Sequence, residues 1–318
     1  MLFTAESVTP RHPDKICDQI SDLILDLCLT EDPLSRVAVE TMGGHNLITL
    51  TGEVTSKTKL SSRKIKSEII LKFPELKNYK FVINITQQSH NIAQGVDIGG
   101  AGDQGIMIGY ATNENEEFLP QEYYLARKLA MFLYKKYPYD GKTQITLNEN
   151  NEILAVVASF QNISYENLLN EVKEIIPNAG DYYINPAGDW NIGGFDADTG
   201  VTGRKLAVDN YGPRIPIGGG AFSGKDGTKV DRSGAYIARK IAVDSLKRYE
   251  AKEVFTKLAY SIGVKEPLMA VAIVDGKEVE IRDYDLSPLG IIESLNLRSP
   301  QYFNSAQWGH FGREFLWG

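Results

Sequence analysis

Three short stretches of this sequence set lysine and arginine beside carboxylates and glycines: His12-Pro13-Asp14-Lys15, Asp198-Thr199-Gly200-Val201-Thr202-Gly203-Arg204-Lys205 and Lys225-Asp226-Gly227-Thr228-Lys229-Val230-Asp231-Arg232. One such stretch reads as an ordinary solvated loop. Three of them in a chain of net charge -7 suit a ligand carrying several negative charges. Lys and Arg give charged donors to phosphate oxygens, and a few carboxylates hold Mg²⁺ against the same anion. Just upstream, Gly219 to Lys225 spells the glycine, four residues, glycine, lysine core of a phosphate-cradling loop, but Asp226 stands where a metal-binding Ser or Thr is required. The side-chain-free backbone of Gly218-Gly219-Gly220 would still let N–H groups approach phosphate oxygens. Gly100-Ala101-Gly102-Asp103-Gln104-Gly105 matches the glycine pattern of dinucleotide-binding folds, yet a polar loop precedes it and the strand-like Ile106 to Tyr110 follows. A dinucleotide site needs the reverse order, strand then helix, so that reading fails.

The elements that must hold these stretches follow from hydrophobic spacing. Ile16, Ile20, Leu23, Ile24 and Leu27 recur at helical spacing after Pro13, predicting an amphipathic helix over 14–29. Residues 36–41 and 47–55 are rich in β-branched types and predict two paired strands with Gly43-Gly44 between them. A helix over 60–71 and a strand over 81–86 follow. The order returns with strands at 144–147 and 153–160, a helix at 165–176 and a strand at 182–184, and again with strands at 254–262 and 268–274 and a helix at 288–295. Helices at 121–136 and 231–249 would cover the sheets. The expected fold class is α+β: three similar units with largely antiparallel sheets, divided as 1–95, 96–190 and 191–318 and intertwined. Each free sheet face needs a partner, which a homodimer can supply.

Bulk properties exclude several classes. An apolar fraction of 42% and a charged fraction of 24% are those of a globular chain. The acidic balance offers no field for nucleic acid or an anionic membrane, and no run of eighteen apolar residues occurs. Cys17 and Cys28, the only cysteines, lie without metal-ligand spacing and predict buried thiols in a reducing compartment, the cytoplasm.

Longer motifs add a resemblance. They are Thr4-Ala5-Glu6-Ser7-Val8, the run from His12 to Asp22, Gly100 to Gly105 with Gly109-Tyr110-Ala111-Thr112-Asn113-Glu114, Thr202 to Lys205, Gly218 to Lys225, Lys229 to Ser233, and Gly309 to Glu314. In this order, and over nearly the whole length, the chain resembles methionine adenosyltransferases, the S-adenosylmethionine synthetases. The resemblance implies three α+β domains around a pseudo-threefold axis. It also implies an enzyme that makes S-adenosyl-L-methionine from ATP and L-methionine and hydrolyses the tripolyphosphate to phosphate and diphosphate. Active sites would lie between the subunits of a homodimer, free or paired into a homotetramer.

Carried over by motif, the catalytic set is His12, Lys142, Arg204, Lys205 and Lys225, and ATP would also meet Asp189, Trp190, Asp198 and Ala221. Glu53, Gln88, Asp103, Asp198 and Lys229 would surround methionine, Asp14 and Asp231 would hold Mg²⁺, two per site, and Glu40 would hold K⁺. On residue type alone, Glu40 and Glu53 read as solvent-facing strand charges, and Trp190 equally well as core. A thioether is already nucleophilic at neutral pH, so sulfur attack on C5′ needs no general base; alignment and charge on the leaving group set the barrier. The segments 95–103, 57–80 and 115–140 are shorter than the family pattern, implying a reduced lid over the site. Two rival functions stand beside this one, a phosphotransferase built on Gly218 to Lys225 and a non-catalytic nucleotide-binding module.

Overall fold

The computed structural model describes residues 1–87 and 99–318. The chain runs three times through a similar series of elements. The first comprises β1 (Leu2–Val8), α1 (Pro13–Glu31), β2 (Arg36–Gly44), β3 (Leu47–Thr55), α2 (Ser62–Lys72) and β4 (Lys80–Thr86). The second comprises β5 (Gly105–Thr112), α3 (Gln121–Lys136), β6 (Gly141–Asn148), β7 (Ile153–Phe160), α4 (Tyr165–Ile175) and β8 (Asp181–Ile184). The third comprises β9 (Gly200–Val201), α5 (Leu206–Asp209), α6 (Val230–Arg248), β10 (Glu253–Tyr260), β11 (Met269–Val274), β12 (Lys277–Val279), α7 (Pro288–Ser294) and α8 (Tyr302–Ser305).

Three four-stranded sheets result, ordered β1-β6-β7-β8, β12-β11-β10-β5 and β4-β3-β2-β9. Each run hands its first strand to the next run's sheet: β1 pairs with β6, β5 with β10 and β9 with β2, all antiparallel. The helix after that strand stays on its own run's sheet in the first case, where α1 packs on β2, and likewise α3 lies on β6 and α6 on β10. The exchange is cyclic, so the three sheets share one strand order and lock together as a pseudo-threefold α+β fold. Two pairs are parallel, β3 with β4 and β7 with β8, because a helix crosses between them; β11 and β12 instead close as a hairpin.

Local chemistry explains the ends of the elements. Ser61 caps α2 by accepting from the Lys64 N–H at 3.2 Å, and Ser287 caps α7 by accepting from the Gly290 N–H at 3.1 Å with Pro288 next to it. The β2–β3 turn is made by His45 and Asn46, both at positive φ, and not by Gly43-Gly44, which lie within β2. Those glycines allow a close approach: a side chain on Gly43 would strike the Phe195 ring, and one on Gly44 the hydroxyl and Cα of Thr199. The sheets alternate as half-buried strands should, with Thr143, Ile145 and Leu147 of β6 and Val156, Ala158 and Phe160 of β7 turned inward. Among the described residues no helix is long and apolar enough to cross a membrane.

Candidate active site

The predicted site residues fall into two groups, one around the start of α1 and one around the start of α6. The first forms where the start of α1 meets the 198–205 loop and the beginning of β6. His12 caps α1, its Nδ1 accepting from the Asp14 N–H at 3.2 Å. That bond leaves the proton of the neutral ring on Nε2. Burial, then the charges of Lys205 and Lys142, push the His12 pKa down to about 3, so the ring is an uncharged donor near neutrality. Asp14, 2% exposed, accepts from Lys205 Nζ at 2.5 Å and from the Val201 N–H at 2.9 Å, with Arg204 Nε at 3.6 Å. Burial alone would raise its pKa; the bonds from Lys205 and Val201 hold it below its ordinary value.

Lys142 stands opposite Val8 on one side and Ser159 on the other in the β1-β6-β7 ladder. Ser159 Oγ accepts from Trp190 Nε1 at 3.1 Å. Trp190 is half-buried, so its indole is tied to the sheet beside Lys142 rather than sunk in the core. Asp189 accepts from Asn185 Nδ2 at 3.1 Å, and Asp198, exposed, accepts from the Thr199 N–H at 2.7 Å.

The second group forms where the glycine loop enters α6. Lys225 Nζ lies 2.7 Å from Asp231 Oδ2, in the first turn of α6, and Lys229 Nζ lies 2.5 Å from Asp226 Oδ2. Gly220 lies directly against Asp231, where any side chain would collide with the carboxylate. Lys225 also bridges Ala38 of β2, which brings it beside Glu40 on that strand. Partial desolvation raises the Glu40 pKa against the pull of Lys225, and neighbouring Glu53 on β3 raises it further. Asp103 is exposed on the approach to β5, two residues before Gly105, which comes close to Asp231. Ala221 touches Gly203 at the seam between the two loops. Gln88 lies outside the described residues. Among the described residues no hydrogen bond or ion pair joins the charged side chains of one group to those of the other.

Comparison with known proteins decides the family. Residues 1–94, 98–190 and 192–318 match the N-terminal, central and C-terminal domain models of S-adenosylmethionine synthetase. The chain belongs to the S-adenosylmethionine synthetase family. It is 41% identical to the S-adenosylmethionine synthase of Mycoplasmopsis synoviae (strain 53), over 99% of this chain and 94% of that one. It is 39% identical to that of Brachyspira hyodysenteriae (99% and 95% covered) and 40% identical to that of Clostridium tetani (98% and 94%). The first two alignments extend over 361 and 373 positions against a chain of 318 residues, so many positions of these synthases have no counterpart here.

For this family member, the donor set also limits how a metal could sit. Among the described residues no three His, Cys, Asp or Glu side chains gather as a cage. Mg²⁺ commonly takes one or two carboxylates and completes its shell with phosphate and water. Asp14 and Asp231 each offer one carboxylate beside lysines suited to phosphate, which fits a divalent ion bound together with a nucleotide.

Sequence reasoning missed the charged residues beneath the site. Asp18 and Asp22 are fully buried, and Lys15 and Arg232, read within the polyphosphate-binding clusters, are 1% and 0% exposed. Lys15 Nζ reaches Asp18 at 3.0 Å and Asp209 at 2.5 Å. Burial raises the Asp209 pKa to about 7 despite this partner. The signal available was the four-residue spacing of aspartates along a helix that buries nearly every side.

Proposed function

We infer that the chain joins ATP to L-methionine as a methionine adenosyltransferase. The sulfur lone pair forms the bond to C5′, the C5′–O5′ bond breaks, and triphosphate leaves with the bonding electrons. Water then splits the triphosphate into phosphate and diphosphate. The observation that carries this reading is the set of cations around buried Asp14: Lys205 and Arg204 lie within 3.6 Å of its carboxylate, and Lys142 is close enough to depress the His12 pKa.

In this reading His12 donates from Nε2 to the phosphate oxygens nearest the breaking bond, without taking up a proton. Lys142, Arg204 and Lys205 gather the charge that builds on the leaving group, a type of interaction typically worth roughly 3–4 kcal/mol per preorganised donor. Trp190 stacks on the adenine, with Asp189 and Asp198 nearby. From the second group, Lys225 and Ala221 meet the triphosphate while Glu53, Asp103 and Lys229 line the methionine subsite, to which the family resemblance also assigns Gln88. Asp14 and Asp231 would each hold Mg²⁺ and Glu40 would hold K⁺; bound ions of this kind neutralise charge on the departing polyphosphate.

Among the described residues each group pairs its charged side chains internally, in keeping with a homodimer in which each site takes the Asp14 group from one copy and the Asp231 group from the other. We keep 1–95, 96–190 and 191–318 as the domain units, each exchanging one strand. We assign the protein to the cytoplasm, in keeping with the free, buried thiols of Cys17 and Cys28. Incubation with ATP, methionine, Mg²⁺ and K⁺ should yield the sulfonium product by mass. ADP in its place would revive the phosphotransferase, and no turnover the binding module.

A further inference from the structure

Helix α1 sets Asp14, Asp18, Asp22 and Asp26 four residues apart along one face. Like charges at this spacing repel, and a buried carboxylate without partners is costly. Each of the four is answered by the backbone of a distant loop. Asp14 accepts from the Val201 N–H at 2.9 Å, Asp18 from Gly203 at 2.8 Å, and Asp22 from Gly224 at 2.8 Å. Asp26 accepts from Gln301, Tyr302 and Phe303 at 3.0, 3.0 and 2.8 Å.

The middle two share one device. Gly203 has φ 80° and Gly224 φ 82°, the left-handed region that residues with side chains avoid. Each glycine directly precedes a cation of the site, Arg204 and Lys225. Asp18 and Asp22 are both 0% exposed and so are shut off from any substrate. Asp18 is itself held by Lys15 Nζ at 3.0 Å, and Asp22 by Arg232, whose Nη1 and Nη2 lie at 2.7 and 2.8 Å. Arg232 Nη1 also donates to the Lys225 carbonyl at 2.9 Å, so the backbone is held at the Gly224 N–H before Lys225 and at the carbonyl of Lys225 itself.

We propose that Asp18 and Asp22 are positioning residues. By capturing the Gly203 and Gly224 amides they fix the direction in which Arg204-Lys205 and Lys225 leave the backbone, and one turn of α1 sets the spacing of the two loops. This rests on the reading of those cations as triphosphate ligands. Misplacing such a group by about 1 Å can cost a hundredfold in rate. A cation that acts on the leaving group lowers kcat when displaced, rather than raising KM for methionine.

Asp18 is the better test, because Asp22→Ala would strand Arg232 without its carboxylate, whereas Lys15 keeps Asp209 when Asp18 is changed. Asp18→Ala removes the acceptor, and Asp18→Asn keeps an oxygen for the Gly203 N–H. We expect the alanine variant to lose at least about tenfold in kcat with KM for methionine within about threefold, and the asparagine variant to recover most of that loss. In ¹⁵N-glycine-labelled protein, amide exchange at Gly203 should be slow in the parent and the asparagine variant and fast in the alanine variant. An alanine variant as active as the parent, or an asparagine variant equally impaired while Gly203 stays protected, overturns the proposal. If the alanine variant does not fold, the asparagine variant decides: activity with a protected Gly203 supports the proposal, and inactivity with a protected Gly203 overturns it. A parent that makes no sulfonium product would defeat the functional reading instead.

Discussion

Around Asp14 a single buried carboxylate faces Lys205 at 2.5 Å and Arg204 at 3.6 Å, with Lys142 close by. Around Asp231 each lysine already has its own carboxylate, Lys225 with Asp231 at 2.7 Å and Lys229 with Asp226 at 2.5 Å, and Glu40 and Glu53 add further negative charge. Close around Asp14 the cations outnumber the carboxylate, although Asp189 and Asp198 balance the first group as a whole, whereas the second group is short of cations. Unit charges about 4 Å apart near a protein surface interact by about 4 kcal/mol, so these imbalances decide what each group can hold. A polyphosphate suits the first; an ammonium group or a metal ion suits the second. In the proposed dimer the two together would serve a magnesium-bound nucleotide and an amino acid.

The largest effect that would sharpen this contrast is the loss of a cation from the first group. Lys142→Ala should slow single turnover by about a hundredfold or more, from the roughly 3–4 kcal/mol of a preorganised donor. A rate within threefold of the parent would remove Lys142 from the leaving-group side. Lys205→Ala should cut phosphate release from added tripolyphosphate by about tenfold or more, since the same charge serves both steps; unchanged release would confine Lys205 to the first. Trp190→Ala should raise KM for ATP by about tenfold and leave KM for methionine alone, as expected from the roughly 1–3 kcal/mol that base stacking contributes. Equal effects on both substrates would return Trp190 to a packing role. The smallest effect concerns pH. With its pKa near 3, His12 should contribute no ionisation to kcat between pH 5 and 8, and an NMR titration of its ring with a midpoint near 6.5 would contradict the neutral donor.

Much of this was legible in the sequence, for physical reasons that also mark where it stopped. The clusters at 12–15, 198–205 and 225–232 could be read because cations beside glycines in an acidic chain are locally conspicuous. Helices such as 14–29 and 165–176 emerged within a few residues of their observed ends because apolar periodicity is a local property. The strand exchange was not legible. β1 pairs with β6 well over a hundred residues away, and periodicity says that a segment is a strand without saying which sheet receives it. Gly43-Gly44 misled the turn assignment, since a glycine demanded by the approach of Phe195 looks the same in sequence as one demanded by a turn. The roles of Asp18 and Asp22 were not legible, because their partners are backbone amides 185 and 202 residues distant.

Whether the two groups meet across a dimer can be asked by mixing two dead proteins. Lys142→Ala damages the first group and Lys225→Ala the second. Random subunit exchange between equal amounts would make half the dimers mixed, each with one undamaged site, so turnover should recover to about a quarter of the parent's. Activity no higher than that of the separate variants, with exchange verified by native mass spectrometry, would contradict a site shared between copies.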